Sequence, residues 1–140
     1  MPADVEFLDR IAELSLFSQL PRAQIESIAH TFEEMSFEPG ERVLRQGLTG
    51  SGFYVIVEGE ANVVHDGQEI ARLSRGDFFG EVSALLDESP TADVMAATPM
   101  KCLVIGPTQL AEFLLRVPEV TLRMLRTECR RLRANLGWRA

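Results

Sequence analysis

The stretch Gly76-Asp77-Phe78-Phe79-Gly80-Glu81-Val82-Ser83-Ala84-Leu85-Leu86 reads as a strand, a glycine turn and a short apolar helical turn. The start of such a turn leaves backbone N–H groups without intrahelical partners, and together with the positive dipole end they can hold a phosphate. Gly80 has no side chain to block close approach. Glu81 is the odd residue, because a carboxylate beside a phosphate repels it unless the carboxylate accepts hydrogen bonds from ligand hydroxyls. A ribose 2′-hydroxyl meets that need. A lone Gly-Glu pair also fits a plain corner with a solvated acid, so the sequence on either side has to decide.

Upstream, short segments rich in Val, Ile, Phe and Tyr alternate with glycine turns, which is the grammar of antiparallel sheets. The pattern predicts strands at 31–36, 42–46, 53–58, 60–65 and 69–74, and downstream at 92–98 and 101–106. Pro39-Gly40, Gly47, Gly50, Gly52 and Gly59 mark corners, and Asp66-Gly67 predicts a tight type I′ hairpin. Strands so short and so regularly punctuated point to a sandwich or barrel, with Tyr54, Ile56, Ala61 and Val63 facing inward. Before them, Val5 to Leu14 has helical spacing behind a possible Asp4 cap, and a second helix is predicted from Pro21 to about His30.

Past Pro107 the period returns to that of a helix, short over 108–115 and long from about Glu119 to Leu136. Leu122, Leu125, Cys129, Leu132 and Leu136 alternate three and four apart, a seam that suits either packing on the barrel or a homodimer. The same helix carries Arg123, Arg126, Arg130, Arg131 and Arg133, which read as a solvated face or as cations closing over an anion.

Composition removes several function classes. With 21 acidic against 14 basic residues the net charge is −7, which disfavours DNA, and no helix-turn-helix follows the long helix. No apolar run is long enough for a membrane span and no leader is evident, so the chain is expected in the reducing cytoplasm. Cys102 and Cys129 sit in apolar periodic segments and imply no disulfide. His30 and His65 are the only histidines, so a metal-dependent jelly-roll enzyme lacks its ligand cluster. Ser83 and Ser89 have no nucleophile elbow around them, and the expectation is no enzyme.

Linked motifs then settle the fold. Pro39-Gly40-Glu41, Arg45-Gln46-Gly47, Phe53-Tyr54-Val55-Ile56-Val57-Glu58-Gly59-Glu60 and Gly76-Asp77-Phe78-Phe79-Gly80-Glu81 occur in one order, and the chain thereby resembles the cyclic-nucleotide-binding domains of catabolite activators and cyclic-nucleotide-regulated kinases. The resemblance implies a mainly β fold with flanking α: an antiparallel β jelly roll with N-terminal helices and a long C-terminal helix. It divides one domain, 1–140, into a helical lead-in at 1–30, the jelly roll at 31–106 and C-terminal helices at 107–140.

It also implies a sensor or regulatory module for cAMP or cGMP, a ligand rather than a cofactor. The phosphate would rest on the turn formed by Phe79, Gly80, Glu81, Val82 and Ser83, with Glu81 on the ribose hydroxyl. Thr91 and Ala92 would close the cassette, Val63 and Leu73 would wall the base and ribose, and Asn135 would reach the base from the last helix. In the resulting hinge, Leu85 and Leu86 shift their packing as that helix closes.

One departure stands out. The family's Pro-Arg-(Ser, Thr or Ala)-Ala reads Ser89-Pro90-Thr91-Ala92, without the arginine that pairs with phosphate. An insertion around Ala84 balanced by loss of that arginine preserves the distance from Glu81 to Ala92. A lost charge-assisted hydrogen bond of about 1.5–3 kcal/mol weakens binding roughly ten- to a hundred-fold. Arg72, Arg75, Lys101 or an arginine of the last helix are the available substitutes. The alternative is a degenerate jelly-roll scaffold that serves dimerisation or protein interaction.

Overall fold

A computed structural model describes residues 5–48 and 52–136, with side chains through residue 134. Asp4 and Gly50, expected as a cap and a corner, lie outside the described residues. Helices α1 (Val5–Glu13) and α2 (Arg22–Thr31) lead in, burying Leu8, Ile11, Ile25 and Ile28 at helical spacing. Pro21 precedes α2 at φ −54°, the conformation its ring imposes.

Eight strands follow among the described residues: β1 (Glu33–Phe37), β2 (Arg42–Leu44), β3 (Phe53–Glu58), β4 (Ala61–His65), β5 (Gln68–Leu73), β6 (Phe78–Phe79), β7 (Asp93–Ala96) and β8 (Met100–Ile105). They form two four-stranded antiparallel sheets, ordered β1-β8-β3-β6 and β2-β7-β4-β5, which is the expected jelly roll. Helix α3 (Glu81–Leu86) lies between β6 and β7, and α4 (Pro107–Arg116) and α5 (Pro118–Leu136) end the fold.

Two predicted strands stop two residues before the end of their sequence pattern. The 42–46 strand stops at Leu44 because the Gln46 N–H turns to the Asp93 carboxylate instead of a neighbouring strand. The 92–98 strand stops at Ala96 because the Ala97 N–H crosses to the Glu60 carbonyl and the Thr98 hydroxyl accepts from the Glu60 N–H. The Asp66-Gly67 turn is as predicted, with φ of +49° and +81° and His65 opposite Gln68.

The core has two layers. Between the sheets lie Phe37, Leu44, Ile56, Ala61, Phe79, Val94, Ala96, Met100 and Cys102, with Tyr54 and Val63 packed against them as expected. On the other face of the β3–β8 sheet, Phe53, Val55, Val57, Phe78 and Leu103 meet Phe17, Phe32, Phe113, Val120 and Met124 from the helical layer. Strand β3 is therefore apolar on both faces, which is why Phe53–Val57 reads as an unbroken apolar run. Strand β6 does the same in two residues, Phe78 entering the helical layer and Phe79 the inter-sheet layer. Both cysteines are free. Burial pushes the Cys102 thiol up to about 12, whereas Cys129 is exposed and is not part of an apolar core.

The α5 contact with the fold uses Val120 and Met124. The leucine seam lies elsewhere on the helix, with Leu122, Leu125 and Leu132 exposed at 46%, 59% and 46%. Packing of that seam on the chain's own barrel is thus excluded for these three leucines, while the Leu136 side chain lies outside the described residues. No helix among the described residues is long and apolar enough to cross a membrane.

Candidate functional site

Strand β6, held in both core layers, delivers the chain to Gly80 in the left-handed conformation at φ +88°. A Cβ there would sit 2.3 Å from the Gly52 carbonyl oxygen and 3.3 Å from Tyr54 Cδ1, so only glycine fits. The turn starts α3 without a side-chain cap, and no described residue supplies an acceptor to the Val82 or Ser83 N–H. The helix stops at Asp87, also left-handed at φ +53°, whose N–H and that of Glu88 return to the Ser83 carbonyl.

A cavity of about 400 Å³ opens beside this turn. Phe79, Gly80, Glu81, Val82 and Ser83 line it together with Thr91, Ala92, Val63 and Leu73. Nine residues singled out in the sequence thus meet at one place. The tenth, Asn135, lies on α5, but its side chain is outside the described residues. Leu85 and Leu86 point away from the core, exposed at 49% and 59%. The structure adds Leu44, Ile70, Ala71 and Val94 to the apolar wall, together with Phe78, Ser89, Pro90 and Arg131.

Among the α5 arginines named in the sequence, Arg131 is the one at the cavity, and its pairing with Glu81 was not expected. Its Nη1 lies 3.2 Å from Glu81 Oε1 and 3.3 Å from Glu128 Oε1, and its Nη2 donates to the Phe78 carbonyl at 2.7 Å. The guanidinium also covers the Phe78 ring, 4.5 Å from its centroid. Two other candidate cations are engaged elsewhere, Arg72 with Asn62, Glu60 and Glu69 and Arg75 with Glu13, and Lys101 on β8 does not line the cavity. The α5 stripe that begins at buried Val120 and Met124 leads on to Glu128 and Arg131, so the buried helical spacing was the signal that could have found Arg131.

Glu81 is buried, with 6% of its surface accessible, and its Oε2 has no hydrogen-bond partner among the described residues. Its carboxyl is raised to about 8, first by burial and then by the charge of Glu128 and hydrogen bonding with it, against the lowering effect of Arg131.

At the far end of the segment, the polar groups are satisfied. The Gly47 N–H donates to the Pro90 carbonyl at 2.9 Å, His65 Nδ1 donates to the Thr91 carbonyl at 2.7 Å, and the Gln46 N–H donates to Asp93 Oδ1 at 2.7 Å. His65, read as a solvated hairpin residue, is exposed but holds the cassette through this bond. No three His, Cys, Asp or Glu side chains among the described residues are grouped to hold a metal.

The family model described as the cyclic nucleotide-binding domain matches residues 34–117. A cGMP-dependent protein kinase of Eimeria tenella is 31% identical over 118 residues, which is 84% of this chain and 12% of the kinase. A cAMP-dependent protein kinase regulatory subunit of Mucor circinelloides f. lusitanicus is 35% identical over 100 residues, 69% of this chain and 23% of the subunit. The chain therefore spans only a minor part of either relative.

Among solved structures, a regulatory subunit of a cAMP-independent protein kinase A from Trypanosoma brucei superposes with a TM-score of 0.73 at 26% identity, covering 86% of this chain and 45% of that one. That form carries glutamate-to-alanine, threonine-to-arginine and valine-to-alanine changes and has cAMP bound in its A site. With its jelly roll, its glycine turn and the match over 34–117, the chain belongs to the cyclic nucleotide-binding domain family, whose members are regulatory modules.

Proposed function

We propose that the cavity beside α3 binds cAMP or cGMP, and that this chain senses the nucleotide without catalysing a reaction. The observation that carries the reading is Glu81, a buried residue of the cavity lining whose carboxyl has one unpartnered oxygen. A group so placed costs free energy until a donor reaches it, and a ribose hydroxyl is a donor of the right kind. The Val82 and Ser83 N–H groups, without protein acceptors among the described residues at the start of α3, suit the cyclic phosphate. Val63, Leu73, Ile70 and Val94 offer an apolar wall to the base, Thr91 and Ala92 close the phosphate side, and Asn135 is assigned to the base through the family correspondence.

The cassette arginine is absent, and Arg131 lies on the Glu81 side of the pocket, so it supports the sugar acceptor more directly than the phosphate. We therefore assign weakened affinity to this pocket. The Trypanosoma subunit supports that assignment, since it is described as cAMP-independent and its cAMP-bound form has an arginine in place of a threonine. Two free cysteines suit a reducing compartment, the cytoplasm.

The exposed Leu122, Leu125 and Leu132, with exposed Cys129 between them, favour a second reading: a scaffold that dimerises through α5. Calorimetry with cAMP and with cGMP, alongside sedimentation, separates the two. Measurable heat with a dissociation constant in the micromolar range or below supports the sensor. No heat with either nucleotide at millimolar concentration, together with a stable dimer, replaces it with the scaffold.

A further inference from the structure

Glu128 is the charged neighbour of the pocket that nucleotide binding leaves without a role. One nitrogen, Arg131 Nη1, bridges its Oε1 and that of Glu81, so two carboxylates from different helices meet over a single cation. One positive charge offsets only one of them, so the pair favours a proton on one of the two carboxyls. The burden falls on Glu81, whose side chain is 8% accessible against 34% for Glu128.

The groups facing Glu81 are few. Helix α5 contributes Glu128 and Arg131, the turn after α3 contributes Glu88 at the cavity wall, and β4, β5, β6 and β7 bring apolar side chains there. Nothing else among the described lining residues titrates.

Resting on the nucleotide reading above, we propose that Glu128 makes ligand capture proton-linked: Glu81 holds a proton shared with Glu128, and releases it to solvent on becoming the acceptor of a ribose hydroxyl. Glu128 is then a positioning residue that acts through Glu81 and Arg131 without touching the ligand. Its consequence is a pocket that binds better as pH rises. The raised Glu81 titration, near 8, agrees in direction.

The test uses the full chain as wild type, Glu128→Gln and Glu81→Gln. Calorimetry with cAMP and cGMP runs from about pH 6 to about pH 9 in buffers of different ionisation heat, and carboxyl-carbon NMR follows Glu81 without nucleotide, assigned by its loss in Glu81→Gln. Wild-type affinity is expected to rise about tenfold between about pH 7 and about pH 9, as the acceptor form grows from a minority to most of the population. About one proton is released per nucleotide at about pH 7. Glu128→Gln flattens the pH dependence to within about threefold and moves the Glu81 midpoint down by about one pH unit or more.

A wild-type affinity that is level across the range, or a Glu81 midpoint unmoved by Glu128→Gln, overturns the proposal while the nucleotide reading stands. Absence of binding at every pH sinks the nucleotide reading, and the NMR midpoint then decides the Glu81–Glu128 coupling by itself.

Discussion

The two ends of the segment from Gly80 to Asp93 are built on opposite terms. At the first end, a buried carboxylate oxygen and two helix-start amides have no partner among the described residues. At the second, the Pro90 and Thr91 carbonyls and the Asp93 carboxylate are held by Gly47, His65 and Gln46. A fold satisfies its buried polar groups wherever it can, and the unsatisfied end is the one that the proposed nucleotide would complete. The satisfied end is scaffolding that holds Thr91 in place.

The comparison breaks most sharply at its origin. Gly80→Ala adds a Cβ 2.3 Å from a main-chain oxygen at a φ that alanine resists. The expected loss is roughly 3 kcal/mol, seen as a melting temperature lower by roughly 10 °C, with nucleotide binding lost as well. A melt within a degree or two of wild type removes the steric basis of the turn.

Glu81→Ala is expected to weaken cAMP and cGMP binding by about 30- to 100-fold in calorimetry, the size of a hydrogen bond to a charged acceptor. Equal binding would move the ligand to another part of the cavity. On the other end, Thr91→Arg restores the missing cation beside the phosphate side of the pocket and is expected to tighten binding about ten- to a hundred-fold. If affinity falls instead, the held end is too rigid to present the guanidinium.

The open end also carries a cost that pH reveals. The Glu81 carboxyl is raised from 4.5 to about 8, first by burial and then by Glu128. The folded chain keeps a proton there that the unfolded chain has released, so this part of the stability is whole below about pH 4.5 and is lost as pH rises through about 8. Melting temperatures of wild type minus Glu81→Gln should therefore fall between about pH 5 and about pH 9, and a level difference contradicts the assignment. The smallest effect belongs to His65→Ala, which removes one exposed bond to Thr91. It should weaken binding by less than about fivefold and cost about 1 kcal/mol or less in urea unfolding.

Legibility in the sequence followed the range of the interactions. The Asp66-Gly67 hairpin and the Gly80 turn depend on neighbours in the chain, and both were readable because positive φ selects a small set of residues. The double burial of Phe53–Val57 went beyond the strand alternation read from the sequence, which placed only Tyr54 and Ile56 of this strand inward.

Arg131 was not, because its contact with Glu81 spans fifty residues and depends on how α5 is rotated about its axis. The regular leucine spacing drew attention to Leu122, Leu125 and Leu132, whereas the helix turned Val120 and Met124 inward. His65 was missed for a related reason. A hairpin tip meets Thr91 only once β4 has paired with β7, and nothing local to Asp66-Gly67 announces that pairing.

Strand β6 carries one more consequence. Phe78 is wedged under the Arg131 guanidinium in one core, and Phe79 is stacked on Tyr54 in the other, with ring centroids 4.8 Å apart and planes 3° from parallel. Those two neighbouring residues tie the glycine turn to both cores at once, so its backbone position is fixed from two sides.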